Sequence, residues 1–124
     1  MDAIRIKGTD DTPAVTLDVQ NGVFEFSGRS LPEDVTTFYA PILDWIDEYA
    51  KNPGNKTNVV FKLEYFNTES SKLLLDVLMK FEGISNTGHE VLISWCYMED
   101  DANMLEAGEE YSEIVDIPFE NVSY

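Results

Sequence analysis

Cysteine is almost missing from this chain. Cys96 is the single one among 124 residues, which excludes an internal disulfide and any cysteine-rich zinc site. Its place in the apolar run Val91–Tyr97 predicts a buried core thiol. Histidine is just as scarce. The lone His89 follows a glycine in a predicted loop, with no cysteine or histidine cluster to join and no Ser-His-Asp order around it. Basic residues are few: 8 Lys and Arg stand against 24 Asp and Glu, for a net charge of −16. That balance argues against nucleic acid and against an anionic membrane, because both are bound through Lys and Arg. It suits basic surfaces on other proteins, met rapidly at low salt. No apolar stretch approaches the roughly 18 residues of a membrane helix. Met1-Asp-Ala-Ile-Arg-Ile6 lacks the charged-then-apolar order of a secretory signal. A cytoplasmic protein is therefore expected. There is no glycine-rich phosphate loop; Gly83 and Gly88 read as helix-end signals.

What is present is a globular composition. Hydrophobic residues make up 44%, with seven Phe, six Tyr and two Trp, far from the aromatic-poor signature of acidic disorder. The length fits one domain, residues 1–124, with one core.

Along the chain, Ala3–Lys7 alternates weakly as a first strand. Ala14–Val19 alternates clearly, with Val15, Leu17 and Val19 on one side. The turn signal Gln20-Asn-Gly22 follows, with Asn-Gly suited to positive φ, and Val23–Ser27 resumes the strand pattern. Ser30-Leu-Pro-Glu-Asp34 reads as a helix start, Ser30 capping and Pro32 in the first turn. Val35, Phe38, Tyr39, Ile42, Ile46, Tyr49 and Ala50 then recur at helical spacing, and Pro41 is expected to kink or split that helix near Tyr39-Ala40. Val59–Phe66 reads as a central strand with apolar residues on both sides. The helix after Thr68 puts Leu74, Val77, Leu78 and Phe81 on one face, and Asn86-Thr-Gly88 stops it. Val91–Tyr97 is another central strand, and Glu99–Glu110 an acidic helix with Met104 and Leu105 as its main apolar contacts. Residues 114–122 carry no clear pattern. The order hairpin, helix, strand, helix, strand, helix predicts an α/β domain. Its mixed sheet has about four to five strands with helices packed on it, and a right-handed crossover makes Val59–Phe66 and Val91–Tyr97 parallel neighbours.

The chemistry concentrates at Tyr65-Phe66-Asn67-Thr68-Glu69-Ser70-Ser71-Lys72, where a buried strand turns into a helix. Asn67 or Thr68 can cap the helix, since a short polar side chain accepts a bond from an unpaired amide. Free N–H groups and the helix dipole also make this corner a place to hold a phosphate. Thr68 is therefore read either as a plain cap or as a regulatory phosphorylation site. Lys72, four residues on, can steady a phosphate on Thr68 or pair with Glu69 or Asp76. Ser70 and Ser71 are at best secondary acceptors, or bond the backbone of the first turn. Glu99-Asp-Asp-Ala-Asn103 has metal-like ligands but lacks EF-hand spacing, and reads as a solvated helix start. No pair of carboxylates stands out as acid and base; an enzyme would have to use Glu64 or Glu69 without a nucleophile, metal set or cofactor loop.

The segment Leu63-Glu-Tyr-Phe-Asn-Thr-Glu-Ser-Ser-Lys72 resembles the signature of the SiaC family of bacterial regulatory phosphoproteins. Ser30-Leu-Pro-Glu-Asp34 and Phe38-Tyr-Ala-Pro-Ile-Leu-Asp-Trp45 look like that family's first-helix motif. Trp95-Cys-Tyr97, Asp100-Asp101 and Met104-Leu-Glu-Ala-Gly-Glu-Glu110 look like its C-terminal pattern, so the resemblance covers nearly the whole chain. It implies a fold similar to anti-sigma-factor antagonists, the STAS architecture. It also implies a switch without a bound cofactor. A dedicated kinase phosphorylates the threonine that maps onto Thr68, and a PP2C-like, metal-dependent phosphatase removes the phosphate. The unphosphorylated form binds and activates a partner such as a diguanylate cyclase of cyclic di-GMP signalling. Tyr65, Phe66, Asn67, Glu69, Ser70, Ser71 and Lys72 would surround the phosphosite or touch the partner. The chain departs from the family's pattern at Glu69, more often serine, which places a negative charge beside the acceptor. It also departs in Leu31 and Asp34, where the motif commonly has tyrosine and asparagine. The rival expectation is an acidic interaction module that docks its partner constitutively, with Thr68 only a cap.

Overall fold

The computed structural model describes residues 1–124. Strands β1 (Ile4–Ile6), β2 (Ala14–Asp18) and β3 (Val23–Ser30) come first, followed by helix α1 (Val35–Ala50). Strand β4 (Lys56–Phe66), helix α2 (Thr68–Ser85), strand β5 (Glu90–Tyr97), helix α3 (Ala102–Ile114) and strand β6 (Phe119–Ser123) complete the chain. The strands form one mixed sheet in sequence order, β1 to β6. The first two pairings are antiparallel and the last three parallel.

The hairpin forms because Val15 and Leu17 alternate with polar residues and pair with Phe26 and Phe24. Its turn takes positive φ at Gly22 alone (66°), a conformation that L side chains rarely adopt. Asn21 stays at negative φ and instead bonds the Asp18 carboxylate through its amide and side chain. Val19 lies beyond the strand and is exposed, so it does not share the buried side of Val15 and Leu17.

Three parallel crossovers step in one direction across the sheet. With right-handed crossovers this puts α1, α2 and α3 on the same face. The burial pattern agrees. Val59, Phe61 and Leu63 of β4 and Val91, Ile93 and Trp95 of β5 point into the core, while their neighbours in sequence do not. β4 is thus central by position but buried on one face, not on both as the sequence suggests. Phe26 stacks on Phe61 with ring centroids 4.9 Å apart, and Phe61 leans on Trp95 at 5.5 Å. Fully burying such a ring contributes about 1.5–3 kcal/mol.

Several sequence expectations change in the structure. Helix α1 is capped by Asp34, whose carboxylate accepts the Thr37 N–H at 3.1 Å; Ser30 ends β3, and Pro32 precedes the helix. Pro41 does not split α1, which runs unbroken for 16 residues. The proline lies on the solvent side, where the Thr37 carbonyl that loses its helical donor can be hydrated. Trp45 joins the buried face, and Ala50 does not. Gly83 lies inside α2, whereas Gly88, with φ of 91°, follows its end. The unpatterned tail forms β6, which pairs with β5 from Ile93↔Phe119 to Tyr97↔Ser123 and raises the strand number to six. No helix is long and apolar enough to cross a membrane.

Candidate functional site

The corner between β4 and α2 sits at the C-terminal edge of the parallel strands. It begins with an irregularity. Gly28 pairs with Leu63 but Arg29 pairs with Tyr65, so Glu64 is the extra residue of a bulge. Gly28 adopts φ of 95°, a conformation L side chains avoid, and lets β3 follow the shift. The shift places the Arg29 guanidinium over the Tyr65 ring, 5.3 Å from its centroid. Tyr65 is 45% exposed.

Asn67 is the cap of α2. Its Oδ1 accepts the Ser70 N–H at 2.8 Å, and its carbonyl accepts the Ser71 N–H at 3.0 Å. Thr68 is therefore the first helical residue and not the cap, and its side chain is exposed. Of the two hydroxyls that follow, Ser71 donates to the Thr68 carbonyl at 2.6 Å. Ser70 is fully buried and donates to the Ser30 carbonyl at 2.9 Å, which removes it as an acceptor for any enzyme acting from solvent. Glu69 is exposed in the first turn, where its charge suits the dipole. Lys72 is exposed too. The chain's ion pairs are Arg5–Asp18, Lys51–Glu48 and Lys80–Asp47, so Lys72 holds neither Glu69 nor Asp76.

Behind the corner, Phe66 packs edge-on to Trp95 at 6.3 Å and beside Tyr111 at 6.3 Å. Two surface hollows flank it and share Phe66 and Ala107 as a common wall. One, of about 290 Å³, is lined by Glu64, Tyr65, Asp101, Asn103 and Met104. The other, of about 250 Å³, is lined by Ser71, Lys72, Leu75, Tyr111 and Ile114, among others. The edge thus offers apolar floors beneath a polar rim that includes the carboxylates of Glu64, Asp101 and Glu110 and the ammonium of Lys72, the kind of surface that receives a protein segment. Glu64 and Glu69 both face solvent, which gives neither the dry surroundings a general base at neutral pH draws on.

Sequence reasoning reached the corner but missed what supports it. Tyr39 on α1, Ser30 at the end of β3 and Ser70 in α2 meet in one buried group. Desolvation pushes the Tyr39 phenol up to about 12. Trp95 donates its indole N–H to the Met104 carbonyl at 2.9 Å and lies against Gly108. The glycine inside a helical pattern was the one signal for this close approach.

The chain is thus a small α/β domain in which an exposed threonine opens a helix beside two partly apolar hollows. The model of the SiaC family regulatory phosphoproteins matches residues 6–124, and the chain belongs to that family. A curated relative is an uncharacterized protein of Pseudomonas aeruginosa strain UCBPP-PA14. It is 29% identical over 119 residues, covering 96% of this chain and 94% of that protein. Among solved structures, SiaC of Pseudomonas aeruginosa superposes with a TM-score of 0.91 at 29% identity over 100% of both chains. SiaC in the crystal structure of the diguanylate cyclase SiaD in complex with its activator SiaC gives 0.91 at 28% identity, over 98% of this chain and 99% of that one.

Proposed function

We propose that this chain is a partner-switching regulator, with residues 1–124 acting as one regulatory domain in the cytoplasm. Its unphosphorylated form docks on a diguanylate cyclase and activates it. A kinase phosphorylates Thr68, and a PP2C-like phosphatase restores the free hydroxyl. The chain itself is a regulator and not an enzyme. The observation that carries this reading is the exposed Thr68 at the first position of α2, with Asn67 doing the capping, on a fold like that of an activator solved with its cyclase.

The physical account is electrostatic. Phosphorylation adds about −1.5 to −2 charges and three acceptor oxygens. Amides at the start of α2 and the unpaired Lys72 can receive it without unfolding the helix. At a docking edge it raises the desolvation cost and meets Glu64 and Glu69, so affinity falls. A loss of about 2–3 kcal/mol corresponds to one to two decades in Kd.

The test is intact mass and phosphopeptide mapping of the protein from its native cells, beside a Thr68→Ala control, followed by pull-downs with each form. Phosphate on Thr68 that is absent from the control, with cyclase recovered by the unmodified form alone, supports the switch. A chain that never carries phosphate and holds its partner under every growth condition is a constitutive acidic module instead.

A further inference from the structure

Three segments distant in sequence converge beneath the Thr68 corner on a chain of buried hydroxyls. Ser70 donates its proton to the Ser30 carbonyl at 2.9 Å. The Ser70 oxygen therefore accepts from the Ser30 hydroxyl, also at 2.9 Å. With the Ser30 proton so engaged, Tyr39 must donate to the Ser30 oxygen across 2.7 Å. The order Tyr39 to Ser30 to Ser70 to the Ser30 carbonyl is thus the arrangement in which every donor is used. The Ser30 carbonyl also accepts the Asn67 N–H at 3.1 Å. Ser30, Tyr39 and Ser70 are each 0% exposed, so water cannot replace a missing partner.

An apolar trio of the same shape would fill this space without the cost of burying three hydroxyls. What the hydroxyls add is direction: they fix the angle at which α2 leaves the sheet relative to β3 and α1. We infer that the Tyr39–Ser30–Ser70 chain is a positioning device. It holds the first turn of α2, and with it Thr68 and the hollows on either side, in one presentation. Its consequence for modification rests on the proposed function above; its hold on the turn does not.

Hydrogen exchange at the amides of Asn67, Ser70 and Ser71 reads the device directly, since all three are bonded at this corner. The variants are Ser70→Ala, which leaves Ser30 with an unused proton, and the triple Tyr39→Phe/Ser30→Ala/Ser70→Ala, which leaves no orphaned hydroxyl. A distant core change, Ile84→Val, serves as control. Exchange at the three amides is expected to rise at least about fivefold in Ser70→Ala, the factor given by one lost net hydrogen bond. In the triple variant the melting temperature should recover toward wild type while exchange at the corner stays fast. The fraction of phosphothreonine at position 68 in native cells should shift in both variants and not in the control. Exchange that follows global stability alone, or a triple variant with wild-type corner amides, overturns the inference. An altered corner with an unchanged phosphorylated fraction overturns its regulatory consequence. A wild-type chain that carries no phosphate sinks the switch, and exchange still decides the positioning.

Discussion

The hydroxyl of Tyr111 donates to the carbonyl of Ser71, 2.7 Å away and 40 residues earlier in the chain. One bond thus ties α3 to the first turn of α2. The Tyr111 ring also lies against Phe66 and meets Trp95 edge-on with centroids 5.5 Å apart. The Thr68 corner is therefore held from two sides, by the Ser30 group below it and by Tyr111 beside it. A change in α3 is expected to be felt at the corner, and substitutions can separate the two supports.

Gly108 faces Trp95 so closely that an added Cβ would lie 2.4 Å from the indole Cδ1. Gly108→Ala should destabilise by about 1–3 kcal/mol through overpacking, despite the better helix propensity of alanine. Urea unfolding measures the loss, and the near-ultraviolet signal of Trp95 should change with it. A stabilised Gly108→Ala protein would mean that α3 stands off the sheet.

Removing the cap of α2 should cost more than its exposure suggests. Asn67→Ala takes away the acceptor of the Ser70 N–H and is expected to lower stability by about 1 kcal/mol. Asn67→Asp keeps the acceptor and should remain near wild type in chemical denaturation.

Lys72 has no partner in the unmodified protein, so Lys72→Ala should leave its stability within about 0.5 kcal/mol. The phosphorylated protein is the sensitive case. A lysine four residues along a helix favours the dianion by about 0.2–0.5 kcal/mol. Phosphorus NMR titration of the phosphothreonine should then show its second pKa rising by about 0.2–0.4 unit in Lys72→Ala. An unchanged value would remove Lys72 from the switch.

Burial raises the Tyr39 phenol to about 12 from an ordinary 10. A raised folded pKa means that the protonated form is favoured by the fold. Its contribution is fully present below pH 10 and is lost as pH climbs from about 10 to about 12. The two units correspond to about 2–3 kcal/mol. Tyr39→Phe should flatten the alkaline loss of stability in that window. Tyr111, raised by burial as well, supplies a further part that the Tyr39 variant keeps. Denaturation curves across the alkaline range test this, and identical slopes for wild type and Tyr39→Phe would count against it.

Local patterns carried the element order. Strands β2 and β3 and their turn followed from alternation and Asn21-Gly22, and α2 from its apolar spacing after Asn67. The parallel neighbours β4 and β5 followed from the helix between them. Strand β6 was illegible because its residues are largely exposed and non-alternating; pairing with the edge of β5 makes it a strand. Ser30 shows the same limit at a single residue. A serine before Leu-Pro-Glu-Asp has every local mark of a cap, yet the β3 ladder continues to Ser30↔Phe66 and draws its hydroxyl into the core.

The sequence by itself determined the scarcity of cysteine and histidine, the acidic surface, the mixed α/β order, the family resemblance and the strand-to-helix corner at Thr68. All of these rest on composition or on residues within a few positions of one another. Only the tertiary structure decided that Asn67 caps and Thr68 is free, that Ser70 is buried rather than available, and that Ser30, Tyr39 and Tyr111 brace the corner. Those outcomes depend on which buried groups find partners. Residues 40 positions apart meet only when the sheet and its crossovers have formed.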